Sequence, residues 1–221
     1  ILARNTLSKG YRHITDYMSG CFVFKNISCM EEIKKIDVNG FKFLYELLAL
    51  TKGKLKIKEI PLQFKSRKFG YSKLDIAVIW DFVISLIHTF INRVIPRKAI
   101  SFGVVGSIGV LVHLAMVYFL ISITSLSFIQ VLPFAGVSAA SSNFLINNMF
   151  TFRNKRLRGI GLFYGLLKFL MVSSIPLVAN VGLAASYYTF ISPNTFISQM
   201  AGIIVVFIWN YVASSKFVWK E

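Results

Sequence analysis

Residues Asn143 to Arg153, NFLINNMFTFR, decide how the C-terminal half of this chain is built, because their pattern returns 67 residues later. At that offset Asn143 falls on Asn210, Asn147 on Ser214, Phe150 on Phe217, Phe152 on Trp219 and Arg153 on Lys220. The same shift lays Phe102-Gly-Val-Val-Gly-Ser-Ile-Gly109 on Phe169-Leu-Met-Val-Ser-Ser-Ile-Pro176. Identity is low, but the offset holds without a gap across two helices and a loop, which marks an internal duplication.

Four apolar stretches occupy this half, near 99–121, 130–152, 165–188 and 197–219. Each is close to the roughly 20 residues that a bilayer-spanning helix needs. A duplicated helical hairpin has an even number of crossings, so both copies keep one orientation. The expected fold of residues 99–221 is therefore an all-α membrane domain of four transmembrane helices in two tandem hairpins. Arg93, Arg97 and Lys98 precede the first span, Arg153, Lys155, Arg156, Arg158 and Lys168 lie between the second and third, and Lys216 and Lys220 close the fourth. The turns at 122–129 and 189–196 carry no charge. The positive-inside rule then places the N-terminal region, the 153–168 loop and the C-terminus in the cytoplasm.

His113 and its repeat partner Asn180, with Asn143, Asn147 and Asn210, are polar groups at membrane depth. They serve either as interhelical hydrogen bonds or as part of a lipid or ion path.

Composition agrees with a membrane protein. The 221 residues carry a net charge of +16, yet 55% are apolar and the mean hydropathy is +0.63. That hydropathy excludes a soluble nucleic-acid binder of the same charge. Residues 1–98 hold 18 of the 25 Lys and Arg and 8 of the 9 Asp and Glu, so two regions in two solvents are expected. Cys21 and Cys29 have neither metal-type spacing nor a disulfide framework, which suits a reducing compartment. The opening ILARNTLSKG has no Met and no signal segment, and reads like the middle of a longer polypeptide.

Between the two regions, residues 74–95 are mostly apolar and long enough to suggest a fifth span. Asp81, Ser85, His88 and Asn92 recur at steps of four, three and four, one narrow polar stripe on a helix. A span would also put Lys73 and Arg97 on opposite sides of the bilayer. The segment 74–98 is therefore expected to lie in the interface, apolar side down, and to be broken by Pro96.

In residues 1–73, Ser28-Cys-Met-Glu31 fits a capping box opening a short helix. Phe41, Leu44, Tyr45 and Leu48 share a helical face ahead of a C-cap at Gly53. Leu55, Ile57 and Ile60 alternate with Lys56 and Lys58 as in a strand, with Pro61 at its end. Helix, helix, strand and loop are too little for an independent core and fit the C-terminal part of an α/β domain.

These residues carry a resemblance. Asp16-Tyr-Met-Ser-Gly20, Gly40-Phe-Lys-Phe-Leu-Tyr-Glu46, Glu59-Ile-Pro-Leu-Gln-Phe64 and Arg67-Lys-Phe-Gly-Tyr-Ser-Lys73-Leu, in that order, resemble the dolichol-phosphate mannose synthases and related polyprenyl-phosphate sugar transferases of glycosyltransferase family 2. Residues 99–221 separately resemble the GtrA-like four-helix membrane domain. The resemblance implies a GT-A fold for residues 1–73 and transfer of a sugar from a nucleotide donor, most simply mannose from GDP-mannose, to dolichyl or another polyprenyl phosphate. It also implies a divalent cation, Mg or Mn, held by an Asp-x-Asp motif that this chain does not contain. Glucose transfer to the same lipid, or a non-enzymatic lipid-carrier translocase or scaffold, are the alternatives.

Within SRKFGYSKL (66–74) the resemblance places Arg67 as the catalytic cation, and Arg67 with Lys73 at the donor diphosphate and acceptor phosphate. Arginine offers a bidentate fork, lysine a point charge, and Gly70 lets the backbone approach between them. The other reading of this stretch is a polybasic tether to anionic lipid. Asp16, Ser19 and Ser72 stand as acceptor-side candidates, with a structural Asx-turn the alternative for Asp16 and Ser19. Glu46 reads as an internal hydrogen-bond acceptor.

Overall fold

The computed structural model describes residues 2–25, 29–36, 43–61, 76–191 and 195–220, and it divides into two compact units, residues 1–97 and 98–221. The described residues are helical and form no strand. Ser28 of the expected capping box and the whole of 66–74, with Arg67, Ser72 and Lys73, lie outside them.

The first unit contains α1 (Leu2–Thr6), α2 (Met30–Lys34), α3 (Phe43–Thr51) and α4 (Ile76–Phe90). Leu7, Tyr11, Ile14, Tyr17, Tyr45, Leu48 and Ala49 make its main core, and Phe82 and Leu86 of α4 pack onto it. The core is rich in tyrosines, whose hydroxyls need partners when buried. Tyr11 meets Thr51 at 2.8 Å and accepts the Leu55 N–H at 2.8 Å, while Tyr45 meets Thr6 at 2.7 Å. Helix α3 ends as the sequence predicts, with Gly53 at φ +88°.

The strand expected over 55–60 is not formed. Leu55 and Ile57 do turn inward and Lys56 and Lys58 outward, so the alternation is real. A strand also needs a neighbour to complete its hydrogen-bond ladder, and the described residues supply none.

Helix α4 carries its polar stripe inward: Ser85 and Ile84 are buried, whereas Ile76, Ile79, Val83 and Phe90 are exposed. Its 15 residues span about 22 Å, short of the roughly 30 Å of a hydrocarbon core. The helix stops at Phe90, ahead of Pro96. Asn92 and Arg93 adopt left-handed φ of 54° and 62°, and the Arg93 N–H returns to the His88 carbonyl at 2.8 Å, a Schellman-type end. The breaker is thus an asparagine in the conformation usually given to glycine, while Pro96 precedes the first turn of α5.

The second unit contains α5 (Arg97–Ile123), α6 (Phe128–Ile146), α7 (Ile160–Phe190) and α8 (Thr195–Ala213). Among the described residues, Arg97–Ile123 and Ala201–Val218 are long and apolar enough to cross a bilayer. Helix α7 starts five residues before the expected span, so Lys168 sits within it and the basic loop shortens to 152–159. A five-residue π turn follows α6 at Asn147–Thr151, and another follows α8 at Ser214–Val218. These two turns are 67 residues apart, the offset of the sequence repeat. The Phe152 N–H closes the first on the Asn147 carbonyl at 2.8 Å, and the Trp219 N–H closes the second on Ser214 at 3.2 Å.

Candidate functional site

In the first unit two of the quoted motif segments meet. The Glu59 carboxylate accepts the backbone N–H of Thr15 at 2.8 Å and of Asp16 at 3.1 Å, and the Thr15 hydroxyl at 3.1 Å. Those bonds, the Asp16 N–H first and the Thr15 N–H next, hold its carboxyl below the usual carboxylate range. Asp16 itself accepts the Met18 N–H at 2.9 Å, an Asx-turn, and Ser19 bonds the Cys21 backbone. Glu59 therefore fastens the Asp16 turn against the extended segment that leads toward 66–74. Sequence reasoning named Glu59 only as part of a motif.

Glu46 is more than an internal acceptor. Its side chain is fully buried, and Oε2 takes Arg93 Nη2 at 2.9 Å and Arg97 Nη2 at 2.5 Å. Both cations were read from the sequence as charges facing the cytoplasm. They are about one-fifth exposed and share that one carboxylate, and Arg97 Nε also donates to His88 Nδ1 at 3.4 Å, so the left-handed turn after α4 is held from both sides. A buried pair of this kind contributes chiefly by avoiding the cost of an uncompensated charge.

The second unit is organised around the two π turns. Phe152 and Trp219 stack with centroids 4.1 Å apart and planes inclined by 14°. Each also receives the edge of its own repeat's phenylalanine, Phe102 on Phe152 at 71° and Phe169 on Trp219 at 68°. Phe102 meets Tyr211 and Phe169 meets Phe144, both at 5.7 Å. The offset of 67 exchanges these two contacts, so the aromatic junction itself follows the repeat. The wider packing does not follow the repeat, because α7 lies along α8 whereas their counterparts α5 and α6 touch little.

Several of the polar residues at depth keep an oxygen without a hydrogen-bond partner. Asn147 and Ser214 are almost fully buried, and Asn147 Oδ1 and Ser214 Oγ find no donor; nor do Asn143 Oδ1 and Asn210 Oδ1. Asn143 lies against Gly109, where any Cβ would collide with its amide. The Asn180 side chain is outside the described part. Bonds between distant segments are made by residues the sequence did not single out, such as the Ser101 and Thr151 hydroxyls, which meet at 2.6 Å. Asn148 Oδ1 accepts the Trp219 indole N–H at 3.1 Å and the Leu157 N–H at 2.8 Å, and its Nδ2 donates to the Leu157 carbonyl at 3.1 Å. Its repeat partner is Ser215, the same pairing as Asn147 with Ser214, so the offset alone does not distinguish Asn148 from its neighbour.

The second unit is helical, has two helices long and apolar enough to cross a bilayer among its described residues, and is closed by an aromatic junction, as expected of a membrane domain. Residues 101–219 match the GtrA/DPMS transmembrane domain, and the chain belongs to that family. Over 211 residues the chain is 28% identical to the dolichol-phosphate mannosyltransferase of Pyrococcus furiosus, covering 94% of this chain and 57% of that protein. The chain therefore spans little more than half the length of this relative.

Proposed function

We propose that this chain is the membrane-side part of a polyprenyl-phosphate glycosyltransferase that transfers mannose from GDP-mannose to dolichyl or a similar polyprenyl phosphate. The observation that carries the reading is the similarity to a dolichol-phosphate mannosyltransferase, which extends over 94% of this chain and so includes residues preceding the membrane domain. Residues 1–73 are then the C-terminal edge of an α/β GT-A domain, 74–98 the interfacial segment and 99–221 four spans, with the catalytic side and both termini cytoplasmic.

In this reaction a lipid phosphate oxygen attacks the anomeric carbon of the sugar. The bond to the nucleoside diphosphate breaks and that diphosphate leaves with the electron pair. The acceptor is already ionised, so it needs little from a general base. Fixed cations matter most, because charge gathers on the leaving diphosphate in the transition state. Arg67 and Lys73 supply them, with Asp16, Ser19 and Ser72 on the acceptor side. Glu59, by fastening the Asp16 turn, supports the reading that the turn belongs to the same site. The described residues include no cluster of three His, Cys, Asp or Glu, so none is assigned to the divalent cation that the resemblance implies.

The partnerless oxygens of Asn143, Asn147, Asn210 and Ser214 favour a second role for the bundle, handling the lipid carrier as a translocase or scaffold. Transfer of radiolabelled GDP-mannose or UDP-glucose to polyprenyl phosphate by the complete protein decides among these readings. Labelled lipid from GDP-mannose is expected, lipid from UDP-glucose alone would make the enzyme a glucosyltransferase, and none from either would leave the bundle's own role.

A further inference from the structure

The loop between α6 and α7 is basic, and its shape is fixed by bonds that a mere charge tag would not require. Lys155, Arg156 and Arg158 are exposed within six residues, and from 98 to 220 the chain contains no Asp or Glu to neutralise them. Leu157, between the two arginines, is held at three points. Asn148 takes both of its backbone polar groups, and its side chain packs into the aromatic junction against Gly165, where a Cβ would collide with Leu157 Cδ1. Asn148 is 2% exposed and is itself held by the indole of Trp219. Pinning Leu157 inward leaves its neighbours Arg156 and Arg158 directed outward from a loop with little freedom, closed by Gly159 at φ +53°. Alongside, Ile160, Phe163, Tyr164 and Leu167 expose apolar surface on the first two turns of α7.

We propose that residues 153–159 form a binding site for the phosphate of an anionic membrane lipid, with Arg156 and Arg158 as its ligands and Asn148 as the residue that builds it. A guanidinium pair pre-set on a rigid loop forks onto phosphate oxygens with less ordering cost than a flexible basic tail. The apolar start of α7 is placed to meet the acyl chains of the same lipid. The proposal rests on residues of the second unit and does not depend on the sugar-transfer reading of 66–74.

The test is native mass spectrometry of the complete protein released from micelles containing phosphatidylglycerol or phosphatidylcholine at equal concentration. The wild type is expected to retain phosphatidylglycerol in preference. Arg156→Gln/Arg158→Gln, which alters only exposed side chains, is expected to lower that preference by about fivefold for each arginine. Asn148→Ala, which changes no charge, is expected to lower it toward the double variant. An unchanged preference in the double variant overturns the site. If Asn148→Ala stays folded by circular dichroism and binds like the wild type, simple charge attraction explains the binding and the built site is overturned. If that variant unfolds, the arginine pair decides alone.

Discussion

Phe152 and Trp219 lie ring on ring, 4.1 Å between centroids, at equivalent positions of a 67-residue repeat. Each immediately follows a π turn, which adds a residue to the last helical turn and so re-aims the chain. The stack is the meeting point of the two hairpins, and Phe144 and Phe169 close around Trp219 at 5.6 and 5.9 Å.

Trp219→Ala is therefore expected to destabilise the bundle by about 3–5 kcal/mol, the usual cost of deleting a buried aromatic side chain. Phe152→Trp/Trp219→Phe, which exchanges the two halves of the stack, should recover most of that loss. Thermal unfolding in detergent, followed by circular dichroism, measures both.

Glu46 faces two arginines from a fully buried position. Glu46→Ala leaves both cations without their carboxylate, and about 3–5 kcal/mol of the first unit's stability should go with it. Because the arginines are partly hydrated, the lower end of that range is expected. Glu46→Gln, which keeps an acceptor, should cost less, and differential scanning fluorimetry of the complete protein separates the two.

Glu59 supplies a pH dependence with a definite sign. Its folded carboxyl is held below its ordinary value by the N–H groups of Asp16 and Thr15. The clasp therefore contributes at pH values above the unfolded carboxylate range and is lost as pH falls through the lowered folded value. Acidification should shift the Thr15 and Asp16 amide resonances together, with a midpoint below the ordinary glutamate value. Glu59→Gln should abolish that response.

Topology is open to direct labelling. A single cysteine placed in the uncharged 189–196 turn, in a background lacking Cys21 and Cys29, should react with an impermeant maleimide from outside the cell. Reaction only after the membrane is permeabilised would reverse the orientation.

Part of this architecture was legible in the residues. The offset of 67 set Phe152 and Trp219 at equivalent positions, but neither the paired π turns nor the stacking of the two rings could be read from it. The stripe of Asp81, Ser85, His88 and Asn92 marked α4 as a helix with one polar face, but not that Ser85 on that face would be buried while Ile76 and Phe90 stay exposed. What failed depended on partners distant in sequence. Alternation at 55–60 shows which side chains face inward but cannot supply a neighbouring strand. Arg93 and Arg97 look like membrane-flanking charges until Glu46, some fifty residues earlier, is placed beside them. Asn148 pairs with a serine in the other repeat as Asn147 does, so only its three hydrogen bonds single it out.

If Arg67 clamps phosphate where a nucleotide sugar meets a lipid phosphate, as proposed above, removing its charge should stop transfer. Transfer of labelled mannose to polyprenyl phosphate by membranes containing the complete protein with Arg67→Ala measures this. Turnover is expected to fall by about 10²–10³-fold with the protein still in the membrane fraction. Near-normal turnover in that variant would contradict it.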